Sequence, residues 1–229
     1  MSSQPIEPEP LRHTFREELD QLRLQVELMG VRVDENLERM REILRTGNVG
    51  LADVAVQADN EIDAMNVSLT ERCYLILSRE SPVASDLRFV VSVLRIVSEL
   101  ERIGDLALRV VKLAPSYDLL VAVDVVFDVL QTIADESVEI YRTSLRAWSA
   151  QDLPLATQLA TQNRNLDLYY ERLVAELQRL HGPDAVRVAM AAFAAGRSLE
   201  RIADHSAIIG ARLRYLITGE PAHLAAEVR

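Results

Sequence analysis

LERIGD, Leu100–Asp105, returns ninety-nine positions later as LERIAD, Leu199–Asp204, and the single change is Gly104 to Ala203. Each copy sets a glutamate and an aspartate four residues apart, Glu101 with Asp105 and Glu200 with Asp204. On a helix that spacing stacks two carboxylates one turn apart on one face. A near-identical phrase recurring at such a distance points to a duplicated unit and makes its surroundings the key to the fold.

Working outward, breakers are few: TGNVG (46–50), SP (81–82), APSYD (114–118), AQDLP (150–154) and HGPD (181–184). They cut the chain into six long segments with helical periodicity and no internal proline. In the second segment the apolar stripe reads Leu51, Ala55, Ala58, Ile62, Met65, Leu69, Cys73, Ile76. The third gives Val90, Val93, Val97, Leu100, Gly104, Ala107, Val111, and the sixth Val186, Met190, Phe193, Leu199, Ile202, Ile208. No β alternation is present. The expected fold is all-α, two tandem three-helix bundles related by internal duplication, with antiparallel neighbours joined by short turns. The boundaries follow: a flexible leader at 1–10, a first bundle at 11–116, a second at 117–218 and a C-terminal tail at 219–229.

Composition agrees and narrows the function. Among 229 residues there are only 8 Gly and 8 Pro, against 49% hydrophobic side chains, a helix-rich balance. A net charge of −10 repels nucleic acid. No stretch is apolar enough to span a membrane, and MSSQPIEPEPLR lacks the basic start and apolar run of a signal peptide. The single cysteine, Cys73, excludes an internal disulfide and a thiolate metal cage. A cytoplasmic location is expected.

The acids sit in a telling register. Heptad steps give Leu87, Leu94, Glu101, Leu108 in the third segment and Val186, Phe193, Glu200, Ala207 in the sixth, placing each glutamate at the edge of the buried stripe. The preceding segments supply partners: Asp59 and Asp63 in DNEID, and Asn163 and Asp167 in NRNLD. In an antiparallel hairpin, residues equidistant from the turn lie at one height. The midpoint between the acid pairs is Pro82 in the first unit and falls between Pro183 and Asp184 in the second, where the turns are. Carboxylates crowded at one height and partly desolvated need protonation, neighbouring arginines or bound cations. Arg102 and Arg201 each point about 100° away from the glutamate before them. Hard oxygen ligands suit Mg, Mn, Fe or Zn. Bound cations, a solvated acidic rim and arginine neutralisation all stay open on this reading.

Other side chains carry less. His13, His181, His205 and His223 show no mutual metal-ligand spacing, and His205 reads as a surface or outer-shell residue beside Asp204. Cys73 and Trp148 read as core. There is no phosphate-cradling loop, nucleophile–His–acid set or Gly-x-Ser-x-Gly, so no enzyme site is visible.

PVASDLR (Pro82–Arg88) followed by LERIGDLA (Leu100–Ala107), and later SLERIAD (Ser198–Asp204), resembles the PhoU family of phosphate-signalling regulators, over about residues 11–217. The resemblance implies paired three-helix bundles with multinuclear metal sites on Asp59, Asp63, Glu101 and Asp105, and on Asp167, Glu200 and Asp204 with Asn163. Asn163 departs from the pattern, which prefers an acid, and HGPDAVR stands where a second PVASDLR would; weaker binding is expected at the second site. Iron or zinc is expected ahead of manganese or magnesium. The resemblance also implies a negative regulator of the phosphate-starvation response. Its partners would be the ATP-binding subunit of a phosphate ABC transporter and a sensor histidine kinase, with a homodimer as the assembly and membrane contact only through partners. Two other readings are a carboxylate-bridged dimetal oxidase, which normally adds Glu-x-x-His motifs absent beside these acids, and a metal-free helical interaction protein.

Overall fold

The computed structural model describes residues 9–80, 82 and 84–228, with side chains at 15–80, 82 and 84–225. The expected leader lies outside the described residues except for Glu9 and Pro10, which already open the first helix, and the His13 side chain lies outside them too. Proline is tolerated in a first helical turn because its missing N–H has no partner there.

Six long helices form, as the spacing of breakers requires: α1 Glu9–Thr46, α2 Ala52–Arg79, α3 Ala84–Val111, α5 Asp124–Ala150, α6 Leu153–Leu177 and α7 Ala185–Thr218. A short α4, Tyr117–Val121, lies in the connection between the repeats. The turns have local causes. Gln151 closes α5 in the left-handed conformation, its N–H bonding the carbonyls of Ala147 and Trp148. Asp152 then caps α6, its carboxylate accepting from the Leu155 N–H at 2.9 Å, with Pro154 in the first turn.

Helices α1–α3 pack as one bundle and α5–α7 as the other. Along α1 the buried residues Leu22, Val26, Met29, Val33, Leu37 and Met40 recur by threes and fours, so one stripe faces its neighbours. The bundles share a continuous core, with α3 against α7 and α1 against α5. Polar bonds fasten that seam. Tyr141 donates to the Gly30 carbonyl at 2.6 Å, and Arg142 grips Asp34 at 2.8 Å and also bonds Glu38.

The α3 stripe is buried as expected, and so is Cys73, whose thiol burial pushes up to about 12. Helix α7 corrects its expected stripe. Val186, Met190 and Phe193 are 69%, 70% and 48% exposed, while the packed line runs through Val188, Ala191, Ala192, Ala195, Gly196, Leu199 and Ile202. The cause is crowding. At Gly196 a Cβ would collide with the Leu173 side chain on α6, so small residues hold the inner face and bulky ones stay outside.

Candidate metal centre

Each repeat brings its paired acids together across one hairpin. In the first, Asp59 and Asp63 on α2 face Glu101 and Asp105 on α3. Asp59 is buried, and burial first, then the charges of Asp63, Asp105 and Glu101, push its carboxyl up to about 6. Lys112 opposes that shift. Glu101 is raised as well, by burial and then by Asp105 and Asp63, with Arg102 and His205 opposing. Helices α2 and α3 approach closely here, for a Cβ on Gly104 would lie 3.0 Å from Asp59 Oδ1.

In the second repeat the ligand atoms of Asp167, Glu200 and Asp204 all lie within 4.8 Å of one another. Among the described residues these three alone close to that distance. The first-repeat acids lie near enough to shift one another's carboxyls but do not close as far, so the cluster expected to be weaker is the more compact. Asn163, buried at the position matching Asp59, explains part of this. Its Nδ2 donates to Asp204 Oδ1 at 2.8 Å and fixes that carboxylate. Burial, then Asp204 and Asp167, raise the Glu200 carboxyl, and Arg197 opposes them.

Two groups in this region differ from the sequence reading. Arg197 Nη1 donates to Glu200 Oε2 at 2.5 Å, so arginine does neutralise part of the second cluster. Arg197 is not adjacent to Glu200 in sequence; the i−3 spacing places it on the glutamate's own face. His205 is not a surface residue. It is 9% exposed, and its Nδ1 lies 2.5 Å from Oε2 of the fully buried Glu99 on α3, a contact in which the ring donates. Arg95 holds the same carboxylate within ion-pair distance, 3.0 Å. Glu99 precedes Glu101 by two and His205 follows Asp204 by one, so this bond joins α3 and α7, the helices that carry the repeated phrase, across the bundle seam. Nothing in either helix's periodicity announces a bond 106 residues apart in sequence.

The donor sets suit hard cations. One observation is specific: Asn163, whose Nδ2 is bonded to Asp204, keeps its buried Oδ1 without a hydrogen-bond partner among the described residues. A buried acceptor left unpaired costs about 1–3 kcal/mol, and a cation would satisfy it. At the first cluster the demand is electrostatic, since four acids share one partly buried place.

Comparison with known proteins agrees with the double repeat. The PhoU domain family matches residues 26–114 and 130–213. The phosphate-specific transport system accessory protein PhoU of Escherichia coli (strain K12) is 27% identical, over 90% of this chain and 86% of its own length. The homolog from Pseudomonas putida is 30% identical, over 93% and 86%. The crystal structure of PhoU from Pseudomonas aeruginosa superposes with a TM-score of 0.84 at 29% identity, covering 90% of this chain and all of that one. The phosphate transport system regulatory protein PhoU from Streptococcus pneumoniae gives 0.82 at 26% identity, over 90% and 98%.

Proposed function

The chain belongs to the PhoU family, and from that premise we propose that it is a cation-stabilised regulatory adaptor of phosphate uptake. The family is one of accessory and regulatory proteins, not of enzymes. In this reading the chain acts as a negative regulator of the phosphate-starvation response. It connects the ATP-binding subunit of a phosphate ABC transporter to a sensor histidine kinase, which it holds in an inactive or phosphatase-like state when phosphate is plentiful.

The observation that carries the cation part is the second cluster, three carboxylates converging within 4.8 Å beside an unsatisfied buried amide oxygen. Asp167, Glu200, Asp204 and Asn163 would hold one centre, and Asp59, Asp63, Glu101 and Asp105 the other. Iron or zinc stands ahead of manganese or magnesium, and the bound ion supplies charge neutralisation and a cross-link between hairpin helices. The residues themselves set the geometry: α2 and α6 present one half of each donor set, α3 and α7 the other.

The faces for partners lie on the same helices. Leu87 and Val91 on α3, and Val186 and Met190 on α7, are exposed apolar side chains at corresponding positions of the two repeats. Such faces suit helix-on-helix recognition. No helix among the described residues is long and apolar enough to cross a membrane. We place the protein in the cytoplasm as a homodimer, reaching the membrane through its partners.

The test is elemental analysis of protein purified without chelator, together with a pulldown of the cell's transporter ATPase and sensor kinase at high and low phosphate. Stoichiometric metal and phosphate-dependent capture are expected. Capture by a metal-free protein would leave an adaptor without a metal role, and absence of capture at either phosphate level would overturn the adaptor.

A further inference from the structure

A cleft of about 310 Å³ opens beside the second cluster. Its wall carries four guanidinium groups, Arg164 from α6 and Arg197, Arg201 and Arg214 from α7, together with Glu200 and Asp204. Asn163, more than nine-tenths buried, is among the residues that line it, and its Oδ1 has no hydrogen-bond partner among the described residues. Arg214 Nε is also buried there without a hydrogen-bond partner among the described residues. Four guanidinium groups against the three carboxylates of the triad are close to balance, and Arg197 is engaged by Glu200.

A divalent cation on Asp167, Glu200 and Asp204 upsets that balance. It competes for Glu200, frees Arg197, and leaves arginines and cation facing one recess with a clear positive surplus. Positive charge gathered around one recess favours a counter-anion, although Arg164 and Arg197 are themselves exposed to water. Guanidinium forks and hard cations share one preferred ligand, an oxyanion able to take several hydrogen bonds while touching the cation. The first cluster differs, for there a fourth carboxylate, Asp59, answers the cation's charge.

We propose that the second cleft is a cation-dependent oxyanion site for a phosphate-class group, bound by Arg197 and Arg201 with Arg164 and Arg214 completing the wall. The inference rests on the cation reading of the second cluster. Titration calorimetry of the full chain with inorganic phosphate, with saturating Mn²⁺ and again after chelation, tests it. Phosphate should bind at least roughly tenfold tighter with Mn²⁺, and Mn²⁺ should tighten by the same factor with phosphate, because binding linkage is reciprocal. Arg197→Gln with Arg201→Gln should abolish phosphate binding while Mn²⁺ affinity holds or rises, since Glu200 loses a competitor. Phosphoserine competing with phosphate would assign the site to phosphoryl groups carried on other molecules, and its exclusion would assign it to the free ion. Mn²⁺ that fails to bind defeats the cation reading itself. Mn²⁺ that binds without moving phosphate affinity, or phosphate binding that survives in the double variant, overturns the oxyanion site alone.

Discussion

At matching places in the two repeats a buried side chain meets the acids of the neighbouring helix: Asp59 in the first and Asn163 in the second, each 6% exposed. The two solve one problem differently. Asp59 adds a fourth carboxylate, and its own carboxyl rises to about 6. Asn163 adds no charge, donates to Asp204, and stands beside three acids that close to within 4.8 Å. Counting charges ranks the first cluster as the stronger cation site, yet counting preorganised oxygens favours the second. A less charged cluster can assemble before the cation arrives, because less repulsion opposes its closing.

Removing ligands should break the comparison most sharply. Glu200→Gln with Asp204→Asn should weaken cation binding at the second cluster by more than roughly 100-fold, beyond what loss of an outer-shell partner costs. Glu101→Gln with Asp105→Asn should do the same at the first. Metal stoichiometry and circular dichroism check both: one cluster's complement lost, helicity kept. If either variant empties both clusters, they are not the separate sites described here.

Exchanging the buried pair should sharpen the comparison. A carboxyl raised from 3.8 to about 6 binds its proton more tightly in the folded chain than in the unfolded one. Stability without cation therefore falls as pH climbs through that window. Asp59→Asn should flatten the decline, as read from thermal melts in chelator between about pH 4 and pH 7. Asn163→Asp should install a similar decline in the second repeat and, once loaded, tighten its cation by roughly tenfold through the added charge. Unchanged affinity would show that residue 163 is not a ligand.

The smallest effect belongs to the one letter that differs between the two phrases. Gly104→Ala makes the first phrase identical to the second, but its Cβ would press on Asp59 Oδ1 from 3.0 Å. A cost of roughly 1 kcal/mol is expected, within the range for slight overpacking, read as a lower melting temperature and slightly weaker cation binding at the first cluster only. Ala203, at the corresponding place in the second repeat, already carries that methyl group and is fully buried.

Much of this was legible in one dimension. Helices α2, α3, α5, α6 and α7 follow from periodicity and punctuation, and the matching height of Asp59 and Asp63 with Glu101 and Asp105 follows from where Pro82 sits. Hairpin height is arithmetic along the chain, so the turn positions suffice to set it. The inner face of α7 was misjudged for a physical reason. Periodicity weighs hydrophobicity, whereas a helix wedged against α3, α5 and α6 selects small side chains and turns Val186, Met190 and Phe193 outward.

The sequence by itself determined an all-helical duplicated chain and the matching height of the acids within each hairpin, because both depend on spacings along the chain. Only the tertiary structure decided that Glu99 of one repeat is bonded to His205 of the other, and that four arginines share a cleft with the second cluster. Those relations depend on how far each helix is rotated about its axis when the bundles meet. That rotation is set by packing summed over many distant side chains, not by any local pattern.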